Sequence, residues 1–297
     1  MGRLKRKKIV LTACLIGSTM MLTGCREVLN MPVGTAQTIY SETSAANGQE
    51  RYEMTNHDYN TSEEGAMEID LAHPEENGGF GSWDGHRLII GEEGTYLLSG
   101  KLDRGRLVIS VCEDEVVHLI LDGVEIKSAD GAAIYVENAA KVIITVKEGT
   151  ENVVSDGPEY DDEIRACVFS NADLTINGGG FLSVYGYYAD AVRTKDQLKL
   201  VNTRLYVKAK KDGIRGNDGV IIHDSEVEAE CEGIGILSNG DRSLVIIEGG
   251  SCKVIAGEYA VSANRYVSVS GCRTDLYAVL ETVRCDGIVE FEEMPEQ

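Results

Sequence analysis

None of the cysteines at 112, 167, 231, 252, 272 and 285 lies in a CxxC pair, so the chain has no zinc-ribbon or thioredoxin-like motif. It also lacks a nucleophile elbow, a phosphate-binding glycine loop and a histidine-rich metal motif, which removes the common hydrolase, nucleotide-binding and zinc-enzyme patterns. Basic residues are scarce as well, 28 against 49 acidic ones, for a formal net charge of −21. A surface of that sign repels phosphate and argues against a nucleic-acid partner. It suits a ligand that is neutral, cationic or bridged through metal ions.

What is present begins at the N-terminus. Arg3, Lys5, Arg6, Lys7 and Lys8 precede an apolar run from Ile9 to Leu22, too short for a comfortable membrane span. The run closes on Leu22, Thr23, Gly24 and Cys25. This resembles the lipobox of bacterial lipoproteins, in which the cysteine is diacylated and becomes the mature N-terminus. The resemblance implies a signal peptide over 1–24, lipidation at Cys25 and display on the extracellular face of a membrane, since two acyl chains anchor firmly where one is marginal. Loss of five basic and no acidic residues takes the net charge from −21 to −26. Residues 25–82, rich in Ser, Thr, Asn, Glu and Gly and poor in large apolar residues, predict a flexible linker.

From Trp83 the chain repeats. Alternating apolar pairs at Leu174/Ile176, Leu198/Leu200, Val220/Ile222, Val245/Ile247 and Val267/Val269 step by 24, 22, 25 and 22 residues. A second set runs through Leu182/Val184, Leu205/Val207, Val227/Ala229 and Cys252/Val254. A third runs through Val192, Ile214, Ile236 and Val261. Three registers at one period, with Gly, Asn and Asp between them and no helical segment, predict an all-β right-handed parallel β-helix with three short strands per coil. Leucine-rich repeats would need a Leu and Asn frame with a helix, and a β-sandwich would lack the longer register. The domain is expected over 83–285, with an acidic tail at 286–297. Val142 to Leu174 exceeds the period by about ten residues, which predicts a loop near 157–163. Cys252 falls on an inward position, consistent with a buried free thiol.

Several runs carry a more specific likeness: Gly94 to Gly100 (GTYLLSG), Val117 to Gly123 (VHLILDG), Asp130 to Tyr135 (DGAAIY), Glu148 to Asn152 (EGTEN), Ser155 to Gly157 (SDG), Asp173 to Gly178 (DLTING) and Lys211 to Arg215 (KDGIR). Together they resemble a carbohydrate-binding β-helix family of clostridia and related bacteria, over about residues 84–265. The resemblance implies a pectate-lyase-like architecture, calcium as a bound ion and plant cell-wall polysaccharide as the partner. The chain is short for that family, with few coils after Ile236.

Two constellations are candidate sites. Asp190, Asp212 and Glu232 recur before the third strand at steps of 22 and 20. Two carboxylates stacked ~5 Å apart repel by about 3–4 kcal/mol at an effective dielectric near 20, so either calcium or the neighbouring Arg193 and Arg215 should neutralise them. Asp196, Asp218 and Asp241 form a second acidic series that reads as turn chemistry. Tyr185, Tyr187 and Tyr188 are the candidate platform for stacking sugar rings; ordinary strand propensity would also account for them. Lys195, Lys210 and Lys211 are the bases available to a polysaccharide lyase. The sequence therefore predicts a surface-anchored polysaccharide-binding lipoprotein with calcium. A calcium-dependent lyase and a structural or adhesive surface protein are the alternatives.

Overall fold

The computed structural model describes residues 11–12, 52–76, 81–160, 164–241 and 243–292. The chain is a right-handed parallel β-helix of about eight turns. Each coil contributes one short strand to each of three faces. The first face runs through Lys141–Val146, Asp173–Asn177, Gln197–Val201, Gly219–His223, Leu244–Glu248, Tyr266–Ser270 and Ile288–Phe291. The second runs through Glu151–Ser155, Phe181–Gly186, Arg204–Ala209, Glu226–Cys231, Ser251–Ala256 and Arg273–Ala278. The third includes Ile134–Asn138, Ala166–Ser170, Asp190–Thr194, Ile214–Gly216, Ile236–Ser238, Tyr259–Ala263 and Glu281–Cys285. Towards the N-terminal end the long strands Gly94–Asp103 and Val116–Lys127 bend through the first two faces in one piece.

The periodic apolar residues are the ladders of the core. Val142, Leu174, Leu198, Val220, Val245, Val267 and Val289 stack in register on the first face. Leu182, Leu205, Val227 and Cys252 do so on the second, and Val192, Ile214, Ile236 and Val261 on the third. All are buried in one continuous cluster that forms the axis of the solenoid. The parallel pairing leaves inward positions nothing but their equivalents above and below, which is why Leu, Ile and Val recur there. Turns carry the strained conformations. Gly178 has φ +97° and a Cβ there would meet Val146 O at 2.4 Å, while Asn202, at φ 49°, is one of the few side-chain-bearing residues in that region.

The linker expected over 25–82 ends earlier than composition suggests. From Tyr52 the chain is a strap laid along the outside of the first face, running from the C-terminal coils back towards the N-terminal ones. The Tyr52 hydroxyl donates to Glu248 Oε2 (2.7 Å), Lys199 Nζ donates to Glu53 O (2.6 Å), and Lys147 pairs with Glu63 (3.1 Å). Its anchor is Asp58, fully buried, which accepts from Lys141, from Lys199 Nζ (3.0 Å) and from Thr175 Oγ1 (2.6 Å). Asn177 Nδ2 donates to the main-chain oxygens of Asp58 and Asn60 (3.0 and 2.9 Å). Hydropathy missed the strap because a carboxylate and main-chain groups, more than apolar side chains, hold it down. The strand Met67–Asp70 then joins the first face beside Gly94–Asp103. At the other end the coils continue past residue 285 to Phe291, so part of the expected acidic tail is a rung. A two-residue strand, Leu11–Thr12, pairs antiparallel with this last rung. The remainder of the expected signal peptide, with Cys25, lies outside the described residues.

Candidate functional site

The two candidate constellations meet at the turn between the second and third faces, on the coils that contain Phe181–Gly186 and Arg204–Ala209. The acidic series is a ladder of two. Third-face register aligns Asp190 with Asp212, and the next rung places Ile234 at that level. Glu232 is two residues short of the position and exposed. The ladder is built into the turn: Asp212 N–H donates to Asp190 Oδ1 (3.2 Å) and Ile234 N–H donates to Asp212 Oδ1 (3.0 Å). Each carboxylate thus satisfies an amide of the following coil at a place where strand pairing has lapsed.

The outer oxygens face cations. Arg215 Nη1 lies 3.6 Å from Asp212 Oδ2 and 3.9 Å from Asp190 Oδ2; Arg193 Nη1 is 3.8 Å from Asp190 Oδ2, and Lys211 Nζ 3.5 Å from Asp212 Oδ2. These are ion-pair distances, and Asp190 Oδ2 has no hydrogen-bond partner. Burial first, and the charge of Asp212 second, raise the Asp190 carboxyl above the usual range. Among the described residues no group of three or more His, Cys, Asp or Glu is arranged to hold a metal ion. Arginine pairing is the arrangement this pair adopts, and calcium would have to displace the Arg215 guanidinium to reach both carboxylates. Of the lysines, Lys195 lies over the Phe169 ring, 5.9 Å from its centroid, and Lys210 is exposed. The Asp196 series is turn chemistry: Asp218 N–H donates to Asp196 O (3.2 Å).

The three tyrosines divide. Tyr185 and Tyr187 stack on one another, centroids 5.9 Å apart and planes within 13°, and Tyr206 from the next coil meets Tyr185 edge-on at 6.0 Å. Tyr187 is 49 % exposed. Tyr188 turns the other way and packs on Tyr160 at 4.2 Å. Tyr160 comes from the residues inserted after Ser155, near the loop expected from the break in the period.

Tyr206 also lines a groove of about 500 Å³ on the outside of the second face. Phe181, Tyr206, Arg204, Glu228, Lys253 and Arg273 are among its lining. The sequence reading missed Tyr206 and Phe181, although a signal was there. Both occupy outward positions of strands whose inward residues, Leu182 and Leu205, had already been placed. Charged neighbours pair along this face, Lys208 with Glu230 at 3.2 Å and Lys253 with Glu228, which leaves the aromatic rings and the exposed Ile255 as its apolar surface. An exposed row of rings beside paired polar groups can stack sugar faces and exchange hydrogen bonds with hydroxyls.

Residues 84–286 match the family described as carbohydrate-binding domain-containing protein. The chain belongs to this family. It is 27% identical over 214 residues to a carbohydrate-binding domain-containing protein of Acetivibrio thermocellus, a match covering 69% of this chain and 75% of that one. It is also similar to a solved polysaccharide lyase-like protein from C. thermocellum, a gadolinium derivative. There the TM-score is 0.70 at 28% identity, covering 72% of this chain and 91% of the other.

Proposed function

We propose that the chain is a polysaccharide-binding protein displayed on a bacterial surface, anchored through an acylated Cys25, and that the glycan lies along the second face against Tyr185, Tyr187 and Tyr206. The observation that carries this reading is the stacked pair Tyr185 and Tyr187, with Tyr206 edge-on beside Tyr185, on a fold whose family is carbohydrate-binding. Sugar C–H faces are apolar and their edges polar, which matches rings flanked by paired charges. Plant cell-wall glycans are the proposed class. Among these, acidic polymers face a protein whose net charge is −26 once the five basic signal residues are lost, so calcium enters as a bridging ion between carboxylates of chain and polymer.

Retention of the purified domain on pectin and on insoluble β-glucan, with calcium and with chelator, tests this. Binding to either supports the reading, and calcium-dependent binding to pectin alone supports the bridge. Calcium bound at Asp190 and Asp212 would raise stability by about 2.7 kcal/mol at 100 times its dissociation constant, and Asp212→Asn would erase that rise in Tm. No retention under any condition overturns the binding function. Release of an unsaturated, ultraviolet-absorbing product from pectin would make the protein a lyase instead.

A further inference from the structure

We propose that Asp156 is the positioning residue of the tyrosine platform: its buried carboxylate, closed over by Tyr160, holds the 187–188 backbone so that one ring faces the glycan and the next locks into the fold. The inference rests on the polysaccharide-binding reading of Tyr185 and Tyr187.

Asp156 directly follows the strand Glu151–Ser155 and is 3 % exposed. Its polar contacts converge on one segment and its cover. Its own N–H donates to Tyr185 O (3.2 Å); its Oδ1 accepts from the amides of Tyr187 (2.6 Å) and Tyr188 (3.4 Å); its Oδ2 accepts from the Tyr160 hydroxyl (3.1 Å). Tyr160 in turn packs against Tyr188, the two rings tilted by 40°. The clamp therefore reaches the segment twice, through its amides and through the ring of Tyr188. Consecutive side chains leave that segment in opposite directions, Tyr187 outward onto Tyr185 and Tyr188 inward onto Tyr160.

The next coil shows what the same corner looks like without a clamp. Lys210 and Lys211 stand where Tyr187 and Tyr188 stand one coil earlier. Their amides donate to main-chain oxygens, of Gly186 and Ala189, both at 2.9 Å. A carboxylate is thus not required to turn the chain here. It is used where two aromatic side chains must be sent apart.

The choice is costly, because a carboxylate is buried without an ion pair among the described residues. The titratable groups that face it are the Tyr160 hydroxyl and the fully buried Cys167 thiol, beside the Tyr187 and Tyr188 amides. Burial raises its pKa to about 6, against the opposing hydrogen bonds from Tyr187, Tyr160 and Tyr188. Below that pH the carboxyl is neutral, and hydrogen bonds to a neutral acceptor are about half as strong as charge-assisted ones. The grip on the platform loosens as the surroundings acidify.

Three variants test the assignment by two readouts, amide hydrogen exchange at Tyr187 and affinity for cellohexaose and pectin. Asp156→Ala should speed Tyr187 exchange and weaken glycan binding about tenfold, the equivalent of roughly 1.4 kcal/mol, while exchange at Leu198 and Val220 stays unchanged. Asp156→Asn keeps an acceptor for the amides and a donor for Tyr160 but carries no charge, so at pH 7 it should bind more weakly than the wild type and more tightly than Asp156→Ala. Between pH 7 and 5 the wild type should lose affinity and Asp156→Asn should not. Tyr160→Phe should give a smaller loss than Asp156→Ala. Unchanged Tyr187 exchange in Asp156→Ala, or equal pH profiles for wild type and Asp156→Asn, overturns the proposal. If the Ala variant does not fold, the Asn pH profile decides. If the wild type retains neither glycan, the binding function falls while the exchange data still decide what Asp156 does.

Discussion

The first face of the solenoid and the corner between its second and third faces are built from the same coils, yet one is covered and the other bare. On the first face, outward polar groups are roofed by the strap. Asp58 engages Lys141, Lys199 and Thr175; His118 Nε2 meets Thr145 Oγ1 at 2.7 Å; Asn177 binds strap carbonyls. At the corner, Tyr187 stands half exposed and, among the described residues, its ring contact is the flank of Tyr185. The lesson concerns what buried charge means in this fold. Burial would raise the Asp58 carboxyl, but hydrogen bonds from Lys141, Thr175, Thr55 and Lys199 outweigh it and hold it well below the usual range. Its network is closed and its role is structural. The corner keeps its rings open and fixes the backbone from beneath, which is the economy of a binding surface.

The largest expected effect breaks the covered side. Asp58→Ala leaves Lys199 and Lys141 facing one another beneath the strap without their carboxylate. Loss of one member of a buried ion cluster costs about 3–5 kcal/mol. Urea unfolding should show that loss, and protease should cut near residues 52–66 in the variant before the coils unfold. A variant as stable and as resistant as the wild type would mean that the strap is not held by this charge.

A second effect sets the two regions against each other through pH. His118 lies 4 % exposed beneath the strap. Burial, and secondarily His57, lowers its pKa to about 4. The unfolded chain takes up this proton near 6.5, so in the window from 6.5 to 4 the unfolded state binds more protons and stability falls as pH falls. Asp156 has the opposite sign. Its folded pKa of about 6 lies above the unfolded value of 3.8, so the folded state binds more protons in that window and stability rises as pH falls. At ~1.4 kcal/mol per unit each contributes about 3 kcal/mol, and the two nearly cancel. Removing one exposes the other. Asp156→Asn should lose stability steeply between pH 6 and 4, and His118→Gln should gain it, as read from urea midpoints. Parallel profiles for wild type and both variants would contradict the burial assigned to these groups.

Most of the fold was legible because stacking makes every coil a copy of the last. Val142 to Val267 could be laid in register from spacing alone, and the ten extra residues before Leu174 located the loop that carries Tyr160. The strap was hidden because Asp58, Asn60 and Glu63 read as solvated linker until their partners, 80 to 140 residues away, are in place. Glu232 was misplaced in the acidic ladder for a related reason. The turn before Ile236 is Glu, Gly, Ile, Gly, and counting back from the strand leads to Ile234, whose amide rather than its side chain continues the ladder. Tyr188 looked equivalent to Tyr187 because adjacent residues carry no sign of which way a turn sends them. Asp156 lay within one of the runs that carry the family resemblance, Ser155 to Gly157, but that run gave no sign of its role, which only its contacts distinguish.

The smallest perturbation to the fold bears most directly on the function, and Tyr59 supplies its control. It lies on the strap, 46 % exposed, and meets His223 edge-on with centroids 6.3 Å apart; Tyr187 is 49 % exposed at the open corner. Both rings are surface tyrosines whose truncation should change stability by less than about 1 kcal/mol. Affinity of Tyr187→Ala and Tyr59→Ala for cellohexaose and pectin, measured side by side by calorimetry, separates the two regions. The account predicts a loss of about tenfold or more for Tyr187→Ala, as expected for removing an aromatic stacking partner, and none for Tyr59→Ala. Equal affinities for the two variants, or a loss confined to Tyr59→Ala, would contradict the assignment of glycan binding to the open corner.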